Sequence, residues 1–315
     1  MGEVEHPAVA RVAATLDAAD AVDAVRTLGA GVTAQDLTSF LLAVSRVRAG
    51  RVSAADLMRR FAQDRFVQVG AVHGGRLLQL EAAAIDSVSP PFEPVVLAPL
   101  VPLGTHAVLG GVRQDNVVTT TRSTEVAADP TVSLALVAAQ RRLGLLAEDA
   151  RSPHDVRLAA VARVTRAQRF DGPLSFAHFS LLGLVTAGRD TGGRRFEAAA
   201  FVEHIEALAR ATRACGGESV RAELTDFSGS MSGELRVALR QLELAGIEAR
   251  EAPGRTAGRG YYPNLCFKLA ILAGDEPVEV GDGGIVEWTQ QLVGSRKERL
   301  MTSGLGLERL AALRL

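Results

Sequence analysis

Apolar positions recur along this chain with two periods, helical first and strand-like later, and the change from one to the other marks a division. From Val9 to Leu28 an alanine-rich stretch keeps its apolar residues on one face. Thr33-Ala34-Gln35-Asp36 and Ser53-Ala54-Ala55-Asp56 then place N-capping side chains ahead of apolar runs, predicting helices to about Arg48 and Phe66, with Gly29, Gly31 and Gly50 as punctuation. The expectation is a helical N-terminal region over 1–85. Ser89-Pro90-Pro91 breaks the pattern, after which Val95-Val96-Leu97 and the β-branched run Val117-Val118-Thr119-Thr120-Thr121 predict strands. Asp129-Pro130-Thr131 predicts a helix running to Arg142, with aspartate as N-cap and proline at the first helical position. Ser152-Pro153-His154-Asp155 repeats that device ahead of Val156 to Ala162.

From Val164 the pattern reads strand, long loop, strand: Arg166 leaves the first strand, Asp171-Gly172-Pro173 turns, and Phe179 enters an apolar run ending at Gly188. Phe196 to Arg213 predicts an amphipathic helix, Val220 to Phe227 a strand, Glu234 to Ala245 a helix, and Ile247-Glu248-Ala249 a strand. These elements read as an α/β insert at about 196–250 within a domain spanning 86–315, and the fold class as α+β.

Composition narrows the classes. A chain of 315 residues that is 47% hydrophobic can bury a sizeable core. The formal net charge of -1 gives no overall field toward nucleic acid or anionic membrane, although Lys268 and Lys297 are the only lysines and arginine supplies the other positive charge. Cys215 and Cys266 lie far apart with no CxxC spacing, which argues against structural zinc and a disulfide framework and fits a reducing cytoplasm. No window has the apolar length of a membrane span, so neither a membrane nor a metal site is expected. Arg46-Val47-Arg48-Ala49-Gly50-Arg51-Val52 joins two helices either as a helix-turn-helix or as the solvated linker of a helical appendage.

The chemistry gathers toward the C-terminus. In Gly304-Leu305-Gly306-Leu307-Glu308-Arg309-Leu310 two glycines precede a helical pattern, so Arg309 falls on an opening helical turn, a place suited to polyphosphate. GxxxxGK[ST], HExxH and GxSxG are absent, and Gly304-Leu305-Gly306 lacks the third glycine of a dinucleotide loop.

The order helix start, arginine-bearing hairpin, insert, paired tyrosines, glycine-rich strand and GxGxER resembles the catalytic core of class II aminoacyl-tRNA synthetases, most of all histidyl-tRNA synthetase and its paralogues. It extends from about Phe92 to Leu315. The resemblance implies an antiparallel sheet flanked by helices, ATP and Mg²⁺ as cofactors, an amino acid or related carboxylate as substrate, and a homodimer formed through a first motif whose proline is Pro99. It implies that Arg166 meets the α-phosphate and the substrate carboxylate, Gln168 the adenine amino group, Phe179 the adenine ring, and Arg309 the γ-phosphate. Gly304 and Gly306 belong to the same nucleotide site. Glu125 or Asp129 would hold the substrate's amino group. Tyr261, Tyr262, Leu181 and Val185 would line its pocket, the last two where the histidine branch carries polar residues, so a small or apolar substrate is expected and histidine a poor one.

Two further departures bear on activity. The arginine that assists activation is replaced by Ala257, leaving Arg259, or Arg255, to deputise. The sequence also ends soon after Arg309 without an anticodon-binding domain, so charging of a tRNA read by its anticodon is not expected. Two functions remain open: an adenylate-forming ligase, and a regulatory paralogue resembling the regulatory subunit of ATP phosphoribosyltransferase.

Overall fold

The computed structural model describes residues 21–168, 175–273 and 276–313, which divide into two compact units. The N-terminal part of the expected first helix and the Asp171-Gly172-Pro173 turn lie outside the described residues. The smaller unit holds described residues 21–64 with Thr119–Thr124. In it Ala21–Arg26 is helical, Thr33 accepts from the Asp36 N–H at 3.1 Å to open helix Ala34–Ala49, and Ser53 with Asp56 forms a reciprocal capping box opening Ala54–Gln63. Neither capped helix buries a residue.

The larger unit begins at Arg65. Its first helix, Gly74–Val88, buries Leu77, Leu80, Ala84 and Val88 in the unit's own core. The compact division therefore falls between Asp64 and Arg65, and Ser89-Pro90-Pro91 is a break inside the larger unit instead of the edge of an N-terminal region at 85.

Strands β1 (Glu93–Pro94), β4 (Val156–Thr165), β5 (His178–Arg189), β6 (Arg221–Asp226), β7 (Glu248–Glu251), β8 (Leu265–Ala273), β9 (Glu276–Val286) and β10 (Glu298–Gly306) form one sheet in the order β1-β4-β5-β10-β9-β8-β6-β7. Its six central strands are antiparallel, and β1 and β7 join the edges in parallel. A two-stranded sheet pairs β2 (Leu100–Pro102) with β3 (Thr124–Val126). Residues 196–250, expected as an insert, add β6 and β7 to the main sheet. One face carries Leu182, Leu184 and Phe267 in a core shared with helices Gly74–Val88, Arg195–Ala214, which contributes Phe201, and Ser232–Leu244. On the other, Val185, Ala187 and Leu300 pack with helix Pro130–Glu148 and Trp288. This is the expected α+β arrangement of an antiparallel sheet between helices.

Two local expectations differ. Ser152-Pro153 opens no helix: Val156–Thr165 is β4, held in register between β1 and β5, and its alternating apolar residues are buried on both faces. Val117 to Thr121 forms no strand, because Asn116 and Val117 close a 3₁₀ turn and the run bends back on Thr124–Val126 through Val126 N–H to Val118 O at 2.8 Å.

Helix Pro130–Glu148 is tied to β10 by a buried ion pair. Arg142 donates from Nε to Glu298 Oε2 at 2.7 Å and from Nη2 to Oε1 at 3.1 Å, with both side chains fully buried. Its remaining donors reach the Ser152 and His154 carbonyls. Arg142→Met therefore leaves a buried carboxylate short of its main partner, and a loss of about 3–5 kcal/mol is expected in urea unfolding.

Candidate functional site

Antiparallel pairing sets Gly183 of β5 opposite Gly304 of β10, and Gly304 opposite Asp282 of β9; Leu181 faces Gly306 in a neighbouring row. Laterally paired residues project on one face of a sheet, so the row runs through two glycines to the Asp282 carboxylate, with Lys268 of β8 beyond it. Glycine at 183 is required by packing: a Cβ there would stand 2.7 Å from Pro130 Cγ. A Cβ at Gly281 would likewise fall 2.6 Å from the Gly304 carbonyl oxygen. Beside them lies a cleft of about 380 Å³ whose walls include Asp129, Arg166, Phe179, Leu181, Asp282 and Arg309, with Gly281, Gly304 and Gly306 among its lining residues.

Asp129 holds two positions at once. Its Oδ1 caps the helix, accepting from Thr131 N–H at 2.8 Å and the Thr131 hydroxyl at 2.7 Å, while Oδ2 accepts from Arg166 Nη2 at 3.3 Å. Arg166 also donates from Nε to the Ala128 carbonyl at 3.0 Å and lies over the Phe179 ring, 5.0 Å from its centroid. Across the cleft Arg309, on helix Leu307–Ala312, donates to the Glu279 carbonyl at 2.6 Å. Beside it Glu308 is buried, accepting from Arg163 Nη1 and the Ser180 N–H, each at 3.1 Å.

Asp282 is a carboxylate for which the sequence suggested no role beyond its glycine-rich run. The signal was present in Gly284, which two residues along the strand leaves the same face bare beside a charged residue. Tyr262 Oη donates to its Oδ2 at 3.3 Å, Arg255 Nη2 stands 4.0 Å away, and 47% of its side-chain surface is open. Desolvation by the surrounding wall, then Asp129 and Glu279, push its pKa up to about 6, against the opposing pull of Arg255 and Arg166. Burial first, then nearby Asp282, also raises the Tyr262 hydroxyl well above its ordinary range, keeping it a donor.

Other expected site residues lie elsewhere. Gln168 is exposed and lines a neighbouring cleft with Arg65, Gln68 and His178. Val185 is fully buried under helix Pro130–Glu148. Tyr261 packs edge-on against Tyr262 and Trp288, at 4.8 and 5.6 Å between centroids. Arg259 sits over Phe227, whereas Arg255 is the arginine directed toward Asp282, with 6% of its side chain exposed and Nη1 without a hydrogen-bond partner.

Glu125 is fully buried and accepts from the Gly104 and His106 N–H groups, the Gln114 amide and the His106 ring. Burial raises its pKa, but these donors, led by the His106 N–H, outweigh that and hold it at about 2. Its oxygens are occupied by loop donors.

Among the described residues no group of three or more His, Cys, Asp or Glu could hold a metal ion. Glu279 lines the cleft as a hard oxygen ligand for a Mg²⁺ that would take its other ligands from phosphates and water.

A raised carboxyl pKa means that the folded state binds the proton more tightly than the unfolded chain. Stability attributable to Asp282 therefore falls as pH rises from 3.8 through about 6. Asp282→Asn should melt above the wild type near neutral pH, with a difference that shrinks as pH is lowered through that window. A melting difference independent of pH would contradict this.

No family model and no curated protein matches the sequence. Solved structures do. An ATP phosphoribosyltransferase regulatory subunit/histidyl-tRNA synthetase from Bacillus halodurans superposes with TM-score 0.59 at 13% identity, over 78% of this chain and 82% of that one. Histidyl-tRNA synthetase from S. aureus gives TM-score 0.61 at 13% identity, over 79% and 69%. That from Nostoc sp. PCC 7120 gives 0.58 at 12%, over 79% and 74%. The larger unit thus has the fold of the class II aminoacyl-tRNA synthetase core.

Proposed function

We propose that the cleft binds Mg-ATP and a small carboxylic or amino acid and joins them as an adenylate, in a paralogue of the class II synthetases. One observation carries the reading: Arg166 and Arg309 line a single cleft, separated by the Gly304–Gly306 floor, with Phe179 beside Arg166. Two permanently charged forks lining one cleft with glycine backbone suit a polyphosphate, which needs close backbone approach and charge-assisted hydrogen bonds. In the step proposed, an oxygen of the acid's carboxylate bonds to the α-phosphorus, the bond to the bridging oxygen breaks, and pyrophosphate leaves. Arg166 orients the carboxylate and α-phosphate, and Arg309 stabilises charge on the departing phosphates. No ionisable base is required. Mg²⁺ entering with the nucleotide would add charge stabilisation at the departing phosphates.

The second reading is a regulatory paralogue that keeps the cleft as a sensor. Its support is that both arginines are engaged within the chain, Arg166 by Asp129 and Ala128 and Arg309 by Glu279, and that Ala257 stands where the resemblance implies an arginine. A sensor of an amino acid alone has no use for two arginines spaced as phosphate partners, which favours the ligase. The reading includes a cytoplasmic location and a homodimer. The Phe92 to Leu103 stretch holds fully exposed Val96 and partly exposed Leu100 and Leu103, apolar surface suited to a twofold contact. Light scattering at micromolar concentration should give the dimer mass; a monomer would remove that part.

Arg309→Ala should weaken Mg-ATP binding about tenfold or more by calorimetry, because charge-assisted hydrogen bonds contribute on the order of 1.5–3 kcal/mol. ATP–pyrophosphate exchange across the standard amino acids, without tRNA, then separates the readings. Exchange with at least one small or apolar acid is the ligase outcome. ATP binding with no exchange across the panel gives the sensor, and no ATP binding by the wild type defeats both the nucleotide assignment and the ligase.

A further inference from the structure

The carboxylates in and around the cleft differ in how fully they are used. Glu125 is saturated by loop donors. Asp129 spends Oδ1 on its helix cap and Oδ2 on Arg166. The Glu279 side chain pairs with Lys268, and Glu308 with Arg163 and the Ser180 N–H. Asp282 is as open as Glu279, with nearly half of its side-chain surface exposed, but has no close cationic partner: Arg255 stands 4.0 Å away and the Tyr262 hydroxyl 3.3 Å. In its row Gly304 on one side brings no side chain, on the other the Lys268 ammonium is paired with Glu279, and Gly284 two residues along the same face is bare.

We propose that Asp282 is the ammonium site of the cleft, so that the acid taken there carries an amine and plain carboxylic acids are rejected. This deepens, and rests on, the reading of the cleft as a carboxylate-activating site. It moves the amino group away from Glu125 and Asp129, where the resemblance had put it, because their oxygens are already committed. Arg166 and Asp282 line the same cleft, so a zwitterion can offer its carboxylate to the guanidinium and its ammonium to the aspartate. Phe176, Phe179 and Leu181 leave an apolar wall for the remainder of the molecule.

Arg255 acts here as a positioning residue. Its Nε is anchored on the Ala257 carbonyl at 2.8 Å, and at 4.0 Å from Asp282 its guanidinium favours the ionised carboxylate without capping the oxygens. Asp129 and Glu279 add negative potential, and the resulting surplus is what a ligand cation relieves. An amine analogue lacking its charge would leave that surplus in place, which is how a polar site rejects a near-isostere.

The test is calorimetry on the full chain with matched pairs: alanine and propionate, leucine and 4-methylpentanoate, phenylalanine and 3-phenylpropionate, each with and without Mg-ATP. The wild type should prefer the amine by tenfold or more in at least one pair. Asp282→Asn should lose at least tenfold of that preference while its ATP affinity stays within about threefold, and Asp282→Glu should recover part of it. A purely structural role would lower affinity for both members of a pair alike and leave their ratio unchanged. An unchanged ratio in Asp282→Asn, a wild type that takes the desamino acids equally well, or one that binds no member of any pair overturns the assignment. Absence of ATP binding by the wild type instead strikes the nucleotide reading, since the titrations without ATP still report on the amine.

Discussion

The approach of helix Pro130–Glu148 to the sheet at Gly183 is the constraint from which the cleft follows. The Pro130 ring occupies the volume in which any side chain on residue 183 would stand. Proline at the first helical turn costs the helix no hydrogen bond, and it can lie flat on a glycine where a larger residue would hold the two elements apart. With the helix seated there, its N-cap Asp129 has a fixed place and meets Arg166 as that residue leaves β4. The buried pair of Arg142 and Glu298 fixes the far end of the same helix on β10, the strand that ends in Gly304 and Gly306. One packing contact and one ion pair thus connect core, cap and trough.

Charge in the cleft is arranged before any ligand arrives. Arg166 is held by a carboxylate, a carbonyl and an aromatic face, and Arg309 by a carbonyl, so neither side chain has to be ordered from solvent when a phosphate binds. Preordered donors contribute more to a developing charge than mobile ones, since the entropy of fixing them is spent during folding. Engagement of Arg166 by Asp129 also means that an incoming anion competes with an internal one, which tempers affinity and leaves room for release.

Much of this architecture was legible because its signals are local. Thr33, Ser53 with Asp56, and Asp129-Pro130 each announce a helix start through chemistry acting within a few residues, and all three helices begin there. Arg166, Phe179, Leu181 and Arg309 could be nominated by order along the chain, and they line one cleft. What failed to show was register and depth. Val185 and Leu181 share a face of β5, but the helix lies over Val185, so only Leu181 reaches the cleft. Ser152-Pro153 carries the residues of a cap without opening a helix, because Val156–Thr165 finds strand partners on both sides. Asp282 was hidden by its glycines, which brought the strand into the resemblance without giving its carboxylate a role.

Those glycines bear on the choice between ligase and sensor. A pocket that only detects a small molecule gains by enclosing it, since burial of the ligand supplies affinity. Here the floor is kept bare at Gly304 and Gly306, and bare backbone adds little apolar contact area. It does leave width for a second, phosphate-bearing molecule beside the first, with two arginines and a carboxylate lining the same cleft. The side chains absent from that floor are thus the ones that a single-ligand sensor would be expected to use, and their absence is easier to account for when two reactants lie there together.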